Sequence, residues 1–227
     1  DSGNDYLAIK TRLGDASIRV ALVEPEIYKM QTEAIFRSAI KLHQQGQTIK
    51  PEIMVPLIAD QKEFESIKEY LVQHIEHLFE QYGQEPFPYE IGTMIELPRA
   101  CLTADKLAQE ADFFSFGTND LTQMTYGFSR DDIGKFIGHY KDKDILPFDP
   151  FQKIDKDGVG ELMRIAIRKA RQVKPNLAIG ICGEVGGDPS SISFFQDIQV
   201  TYVSCSPYRV PAARLAVAQV ALQEDQN

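Results

Sequence analysis

The segments Tyr89-Glu-Ile-Gly-Thr-Met-Ile-Glu96 and Phe113-Phe-Ser-Phe-Gly117 are short, nearly all-apolar runs separated by a helical pattern. Strands that are buried on both faces, as in parallel sheets, have this composition. Four other runs share it: Ser17–Val23, Glu52–Leu57, Leu177–Cys182 and Val200–Ser204. We therefore predict six parallel strands.

Helical spacing of apolar residues fills the gaps between these runs. The predicted helices cover 27–42, 64–78, 103–111, about 158–173, and a last segment with Pro211 in its first turn. Asp157 is the predicted N-cap of the fourth helix. A βα order throughout indicates either an open doubly wound sheet or a (β/α)8 barrel.

Composition and charge limit the classes of protein to which this chain can belong. The chain has 227 residues, is 43% hydrophobic, and carries 24 basic against 33 acidic residues, a formal charge of −9. Nucleic-acid binding needs clustered cations, so we expect no nucleic-acid partner. The sequence contains no apolar stretch long enough to span a bilayer, and its first residues lead us to expect no signal peptide. Three widely spaced cysteines favour a reducing compartment. We expect an intracellular, soluble enzyme, with the cytoplasm favoured over an organelle.

Two carboxylates end neighbouring predicted strands. Glu96 ends one run, and Asp120 follows the next in Gly117-Thr-Asn-Asp120. Two carboxylates completed by water and substrate oxygens are a common way to hold Mg²⁺. The alternatives are that Glu96 caps the helix after Pro98 and that Asp120 is an N-cap or turn residue. Gly117, Thr118 and Asn119 add backbone N–H groups and an amide suited to an anionic substrate.

A cysteine stands in a glycine-rich turn after a later strand. Cys182 lies in Gly180-Ile-Cys-Gly-Glu-Val-Gly-Gly-Asp-Pro189, where backbone crowding is least. It is a candidate nucleophile or general acid, although a free cysteine is often a plain packing residue. The segment from Leu121 to about Lys156 is longer than an ordinary βα loop, which suggests that it serves the active site.

Several motifs carry a family resemblance. They are Gly92-Thr-Met-Ile-Glu-Leu-Pro-Arg99, Phe113-Phe-Ser-Phe-Gly-Thr-Asn-Asp-Leu-Thr-Gln-Met-Thr-Tyr-Gly-Phe-Ser-Arg-Asp-Asp132, Gly180-Ile-Cys-Gly-Glu184, Gly186-Gly-Asp-Pro189 and Tyr202-Val-Ser-Cys-Ser-Pro207. With them the chain resembles the C-terminal phosphoenolpyruvate (PEP)/pyruvate domain of the pyruvate, phosphate dikinase family of PEP-utilising enzymes, from about Leu13 onward. PEP synthase and enzyme I of the sugar phosphotransferase system share part of the central motif and are the alternatives.

The resemblance implies a fold, a reaction and roles for particular residues. The family domain is a (β/α)8 barrel in which residues matching Glu96 and Asp120 bind Mg²⁺ with substrate. Residues matching Gly117, Thr118 and Asn119 contact substrate, and the one matching Cys182 protonates the enolate to give pyruvate. The phosphoryl group passes to a histidine on a separate domain, so that domain is an implied partner.

The chain also departs from the family pattern. Asp15-Ala-Ser17 replaces a His-Arg-Gly run, so Ala16 stands where the family has a substrate-binding arginine. In addition, Val185 replaces a histidine of the family. With six strands instead of eight, residues 1–227 read as one barrel domain truncated at its N-terminus. Either the segment Asp1–Leu13 covers an open edge, or two copies pair edge to edge, or the sheet stays open and partly mobile, and we expect self-association first.

Two hypotheses follow from the matches and the departures. Either the chain is the metal-binding and proton-transfer part of a dikinase, or it is a non-catalytic remnant or interaction module of the same fold. In both cases we expect the isolated chain not to turn over PEP, because the acceptor histidine and the upstream arginines are not in it.

Overall fold

The computed structural model of the chain describes residues 18–224 and contains one five-stranded parallel sheet. Its strands are β1 (Glu52–Val55), β2 (Glu90–Ile95), β3 (Phe113–Gly117), β4 (Ala178–Cys182) and β5 (Tyr202–Val203). The strands pair in the order β1-β2-β3-β4-β5. The prediction of a parallel α/β chain is confirmed, with strand bounds shifted by a few residues.

The helices alternate with these strands. They are α1 (Ile18–Val23), α2 (Glu26–Gln44), α3 (Gln61–Gln81), α4 (Pro98–Leu102), α5 (Ala104–Glu110), α6 (Thr118–Tyr126), α7 (Ile137–Asp142), α8 (Val159–Val173), α9 (Pro189–Asp197) and α10 (Val210–Glu224). Within residues 18–224, no helix is both long and apolar enough to cross a membrane.

The prediction of a strand at Ser17–Val23 is wrong, because Ile18–Val23 is helix α1. Ile18 and Ala21 are buried, whereas Leu22 and Val23 are exposed. Burial at positions i and i+3 is helical spacing, and a short apolar run does not by itself distinguish a helix from a strand. Ala16 and the segment Asp1–Leu13 lie outside the described residues.

The strand order distinguishes the two architectures that the sequence left open. A doubly wound sheet reverses direction at a switch point, whereas this one advances in a single direction. Right-handed crossovers then place the connecting helices on one side. Contacts of α2 with α3, α3 with α5, and α5 with α8 form a continuous helical layer. This singly wound order is the one that a (β/α)8 barrel requires.

The two faces of the sheet differ in character. One face packs on the helices through Ile53, Val55, Ile91, Ile95, Phe114, Phe116, Ile179 and Ile181. Because side chains alternate along a strand, the other face carries Met54, Gly92, Met94, Ser115, Gly180 and Tyr202. Glu96, Gly117 and Cys182 continue this second face at its carboxyl end.

The segment between α6 and α8 is folded around an aromatic cluster. Phe128 lies 5.2 Å from Phe136 and 6.2 Å from Phe151 between ring centroids. The segment also contains a 3₁₀ turn at Ile133–Lys135 and the short helix α7. The predicted long loop is therefore a small packed substructure.

Asp155, and not the predicted Asp157, caps helix α8. The Asp155 carboxylate accepts hydrogen bonds from the N–H groups of Gly158 (3.2 Å) and Val159 (3.1 Å), and its side chain is buried. Asp157 is exposed. The spacing in the sequence pointed to a residue next to the helix, whereas the turn places the earlier carboxylate beneath its first N–H groups.

We predict that Asp155→Ala lowers the free energy of unfolding by about 1–2 kcal/mol, since the first turn of α8 loses its acceptor. Urea unfolding measures the loss. Asp157→Ala is the matched control and should change stability little. Equal losses in the two variants would contradict the assignment of the cap.

Candidate active site

Glu96, Gly117 and Cys182 form a row across three neighbouring strand ends. Gly117 pairs with Cys182, and Ile95 pairs with Phe116, so Glu96 stands beside Gly117. Neighbouring strands lie about 4.8 Å apart, which gives the row a backbone length of about 10 Å. All three positions belong to the second face of the sheet. The three side-chain positions therefore border the same stretch of the sheet edge.

The Glu96 carboxylate is buried, with 1% of the residue exposed. Its Oε1 accepts a hydrogen bond from the Leu57 N–H at 2.7 Å. Leu57 has φ of +56°, a left-handed conformation that is uncommon for leucine, and this conformation aims its N–H at the carboxylate. Glu96 does not cap the following helix, because Leu97 occupies the N-cap position.

Gly117 makes room for this carboxylate. A side chain at Gly117 would collide with Glu96 Oε2 and with the end of Met94. The close approach of Glu96 therefore explains why residue 117 is a glycine, and this explanation does not require Gly117 to contact a substrate. It also serves as the N-cap residue of α6.

Helix α6 begins at the strand end with Thr118, Asn119 and Asp120. Thr118 is buried, and its hydroxyl donates to the Cys182 carbonyl at 3.1 Å. Asn119 Oδ1 is buried and has no hydrogen-bond partner among residues 18–224. Asp120 is half-buried in the first turn. The first N–H groups of a helix lack internal acceptors, so this end of α6 also offers donors to an anion.

The three cysteines occupy different environments. Cys182 is half-buried, and its Sγ lies 3.3 Å from the Phe116 carbonyl as a donor. Burial raises the pKa of the Cys101 thiol to about 12 and also raises the pKa of Cys205. Gly183, next to Cys182, has φ of +118° and packs against the Thr118 hydroxyl, a position that a side chain would not tolerate.

The oxygen groups at the strand ends fit Mg²⁺. Residues 18–224 contain no cluster of three or more His, Cys, Asp or Glu side chains able to hold a metal. Magnesium does not need one, since it commonly takes one or two carboxylates and keeps several waters. Glu96 and Asp120 supply two carboxylates at adjacent strand ends, and the unpartnered Asn119 Oδ1 is a further hard donor.

A set of charged residues beside this row has no recognisable pattern in the sequence. Arg130 forms an ion pair with Glu184, and Arg209 donates to the Glu184 carbonyl at 3.1 Å. Val185, the departure from the family pattern, is buried. The motifs Ser-Arg-Asp-Asp132 and Cys-Gly-Glu184 contain the ion pair, but separation along the chain hides their contact.

Comparison with known proteins gives one family match. Residues 10–222 match the family model described as the PEP-utilising enzyme, PEP-binding domain. Pyruvate, phosphate dikinase of Clostridium symbiosum is 53% identical over 211 residues, which is 92% of this chain and 24% of that protein. The chloroplastic pyruvate, phosphate dikinase of Mesembryanthemum crystallinum is 50% identical over 93% of this chain and 22% of its own length. The chain thus spans about a quarter of these relatives.

Solved structures give remoter likenesses. A citrate lyase from Burkholderia xenovorans is 15% identical with a TM-score of 0.47, over 73% of this chain and 48% of that one. A malate synthase from Haloferax volcanii is 15% identical with a TM-score of 0.46, over 73% of this chain and 44% of that one. At such scores these folds support no inference about this chain.

Proposed function

This chain belongs to the PEP-utilising enzyme family as its PEP-binding domain, and from that premise we propose that it interconverts PEP and pyruvate within a pyruvate, phosphate dikinase. The observation that carries the proposal is the row of Glu96, Gly117 and Cys182 on one face of the sheet, next to the start of α6. The two relatives that are 53% and 50% identical to this chain are both named as dikinases, which favours the dikinase over PEP synthase or enzyme I.

Glu96 and Asp120 are the proposed ligands of Mg²⁺. When bound there, the ion would stabilise the negative charge on the substrate oxygens. Glu96 is held for this role by the Leu57 N–H and by the close packing over Gly117. Asn119 and the N-terminal N–H groups of α6 would orient the carboxylate of PEP or pyruvate.

Cys182 is the proposed proton donor at carbon. The bond between phosphorus and the C2 oxygen of PEP breaks as a histidine nitrogen on another domain takes the phosphoryl group, which leaves the enolate of pyruvate. The Cys182 thiol then gives its proton to C3 and becomes a thiolate. In the reverse direction the thiolate removes a methyl proton from pyruvate. The position of Cys182, two strands from Glu96, supports this division of roles.

Further βα units are proposed to complete the barrel. Apolar side chains are exposed in the helices at both edges of the sheet, with Leu22, Val23 and Met30 in α1 and α2, and Leu215 and Leu222 in α10. A cavity of about 690 Å³ lies between α9, β5 and α10. Additional strands at the sheet edges, from the same polypeptide or from a second copy, would cover these surfaces.

The test uses the complete protein with PEP and Mg²⁺. We expect pyruvate and an acid-labile phosphohistidine to form in equal amounts, and a chelator to stop both. Pyruvate is measured enzymatically and the phosphohistidine by mass spectrometry. A folded protein that forms neither product would contradict the proposal and favour a non-catalytic remnant, as the replacements at Ala16 and Val185 would then suggest.

A further inference from the structure

Glu184 connects three strand-end segments of the molecule. Its carboxylate pairs with Arg130, from the segment after α6, and its carbonyl accepts a hydrogen bond from Arg209, from the turn after β5. We propose that Glu184, through these two arginines, is a positioning residue for the Cys182 thiol. The role in catalysis rests on the proposed function, whereas the geometry stands without it.

The contacts of Glu184 matter for Cys182 because only one residue, a glycine, separates the two in the chain. Gly183 separates the two residues with φ of +118°, a conformation open to glycine. The Cys182 carbonyl is held from one side by the Thr118 hydroxyl at 3.1 Å. Glu184 holds the other side of Gly183, so the two anchors together restrict rotation at the glycine and fix the backbone of Cys182. From that backbone the Cys182 thiol donates to the Phe116 carbonyl at 3.3 Å.

Each arginine is itself fixed by a second contact. The backbone N–H of Arg130 donates to Gln123 Oε1 at 3.1 Å, and this hydrogen bond connects Arg130 to helix α6. The Arg209 side chain packs against Gly187, on the far side of the same turn. Contacts from the segment after α6 and from the turn after β5 therefore hold the turn that contains Glu184. Helix α6 follows β3, and β3 and β5 are the two neighbours of β4 in the sheet.

Stability alone does not explain this arrangement. The side chains of Arg130 and Glu184 are 35% and 43% exposed, and ion pairs at such exposure contribute little to folding. Small displacements of a reacting group, in contrast, reduce rates strongly. The ion pair Lys169–Asp105 offers a control, because it joins α8 to α5 at similar exposure, 35% and 38%, and lies away from the row.

The experiment compares Glu184→Gln, Arg130→Gln and the exchanged pair Arg130→Glu with Glu184→Arg against Asp105→Asn. In the complete protein, kcat and KM for exchange of pyruvate methyl protons are measured by NMR in D₂O. Alkylation of Cys182 by iodoacetamide is followed by mass spectrometry in a Cys205→Ser background. Circular dichroism confirms that each variant is folded.

We expect Glu184→Gln and Arg130→Gln to lower kcat by about tenfold or more with little change in KM. The alkylation rate of Cys182 should change severalfold in both, the exchanged pair should recover much of the loss, and Asp105→Asn should match the wild type. Wild-type values of kcat and alkylation in folded Glu184→Gln and Arg130→Gln would overturn the inference. A wild-type protein without exchange would contradict the proposed function, and alkylation would still decide the role of Glu184.

Discussion

In the complete protein, Cys182→Ala is expected to bind Mg²⁺ and pyruvate as the wild type does but to lose the exchange of pyruvate methyl protons with solvent. A positioned general acid or base contributes about 10²–10⁴-fold to such a step, and the loss should fall in that range. Binding should persist because Thr118 donates to the backbone carbonyl of Cys182, a contact that the substitution leaves in place. NMR in D₂O measures the exchange.

Cys205→Ala is the control for this result. Cys205 follows β5, and burial raises the pKa of its thiol, so its loss should leave the exchange rate at the wild-type value. Exchange that survives Cys182→Ala would show that another group, or solvent, delivers the proton. A parallel loss in both variants would indicate a general effect of removing a thiol from this side of the sheet.

The sequence predicted the strand ends well because hydrophobic patterning and topology act together there. A buried parallel strand is nearly all apolar, so the polar residue at its end is conspicuous, as with Glu96 after Ile95. Parallel strands then bring their carboxyl ends to one edge. The meeting of Glu96, Gly117 and Cys182 at one edge thus follows from local pattern plus connectivity.

Features that depend on long-range geometry were beyond the sequence. The approach of Arg130 to Glu184 joins residues 54 positions apart, and no periodicity encodes it. The left-handed backbone of Leu57 is similarly invisible, since leucine rarely adopts it. The misassigned strand at Ile18–Val23 has a local cause, because a short segment that is apolar at all but one position suits a helix or a strand equally.

Glu96→Gln is expected to weaken the binding of Mn²⁺, used as a spectroscopic substitute for Mg²⁺, by at least about 10–100-fold. Substituting groups that merely orient metal ligands costs 10–100-fold in affinity, and a ligand should cost no less. The amide keeps the size of the carboxylate, and one oxygen remains to accept from the Leu57 N–H. The fold around Gly117 should therefore survive while the charge is lost.

Glu90→Gln is the matched control for Glu96→Gln. Glu90 belongs to the same strand and, by alternation, to the same face, but it stands at the opposite end of β2 and pairs with Lys50. Both substitutions remove one negative charge from a chain of net charge −9, so general attraction of cations falls equally in the two variants. Titration followed by electron paramagnetic resonance should show near-wild-type affinity for Glu90→Gln. If the two variants lost affinity for Mn²⁺ equally, Glu96 would contribute only to the general electrostatic attraction of cations and would not be a metal ligand. The proposed metal centre would then have to be abandoned.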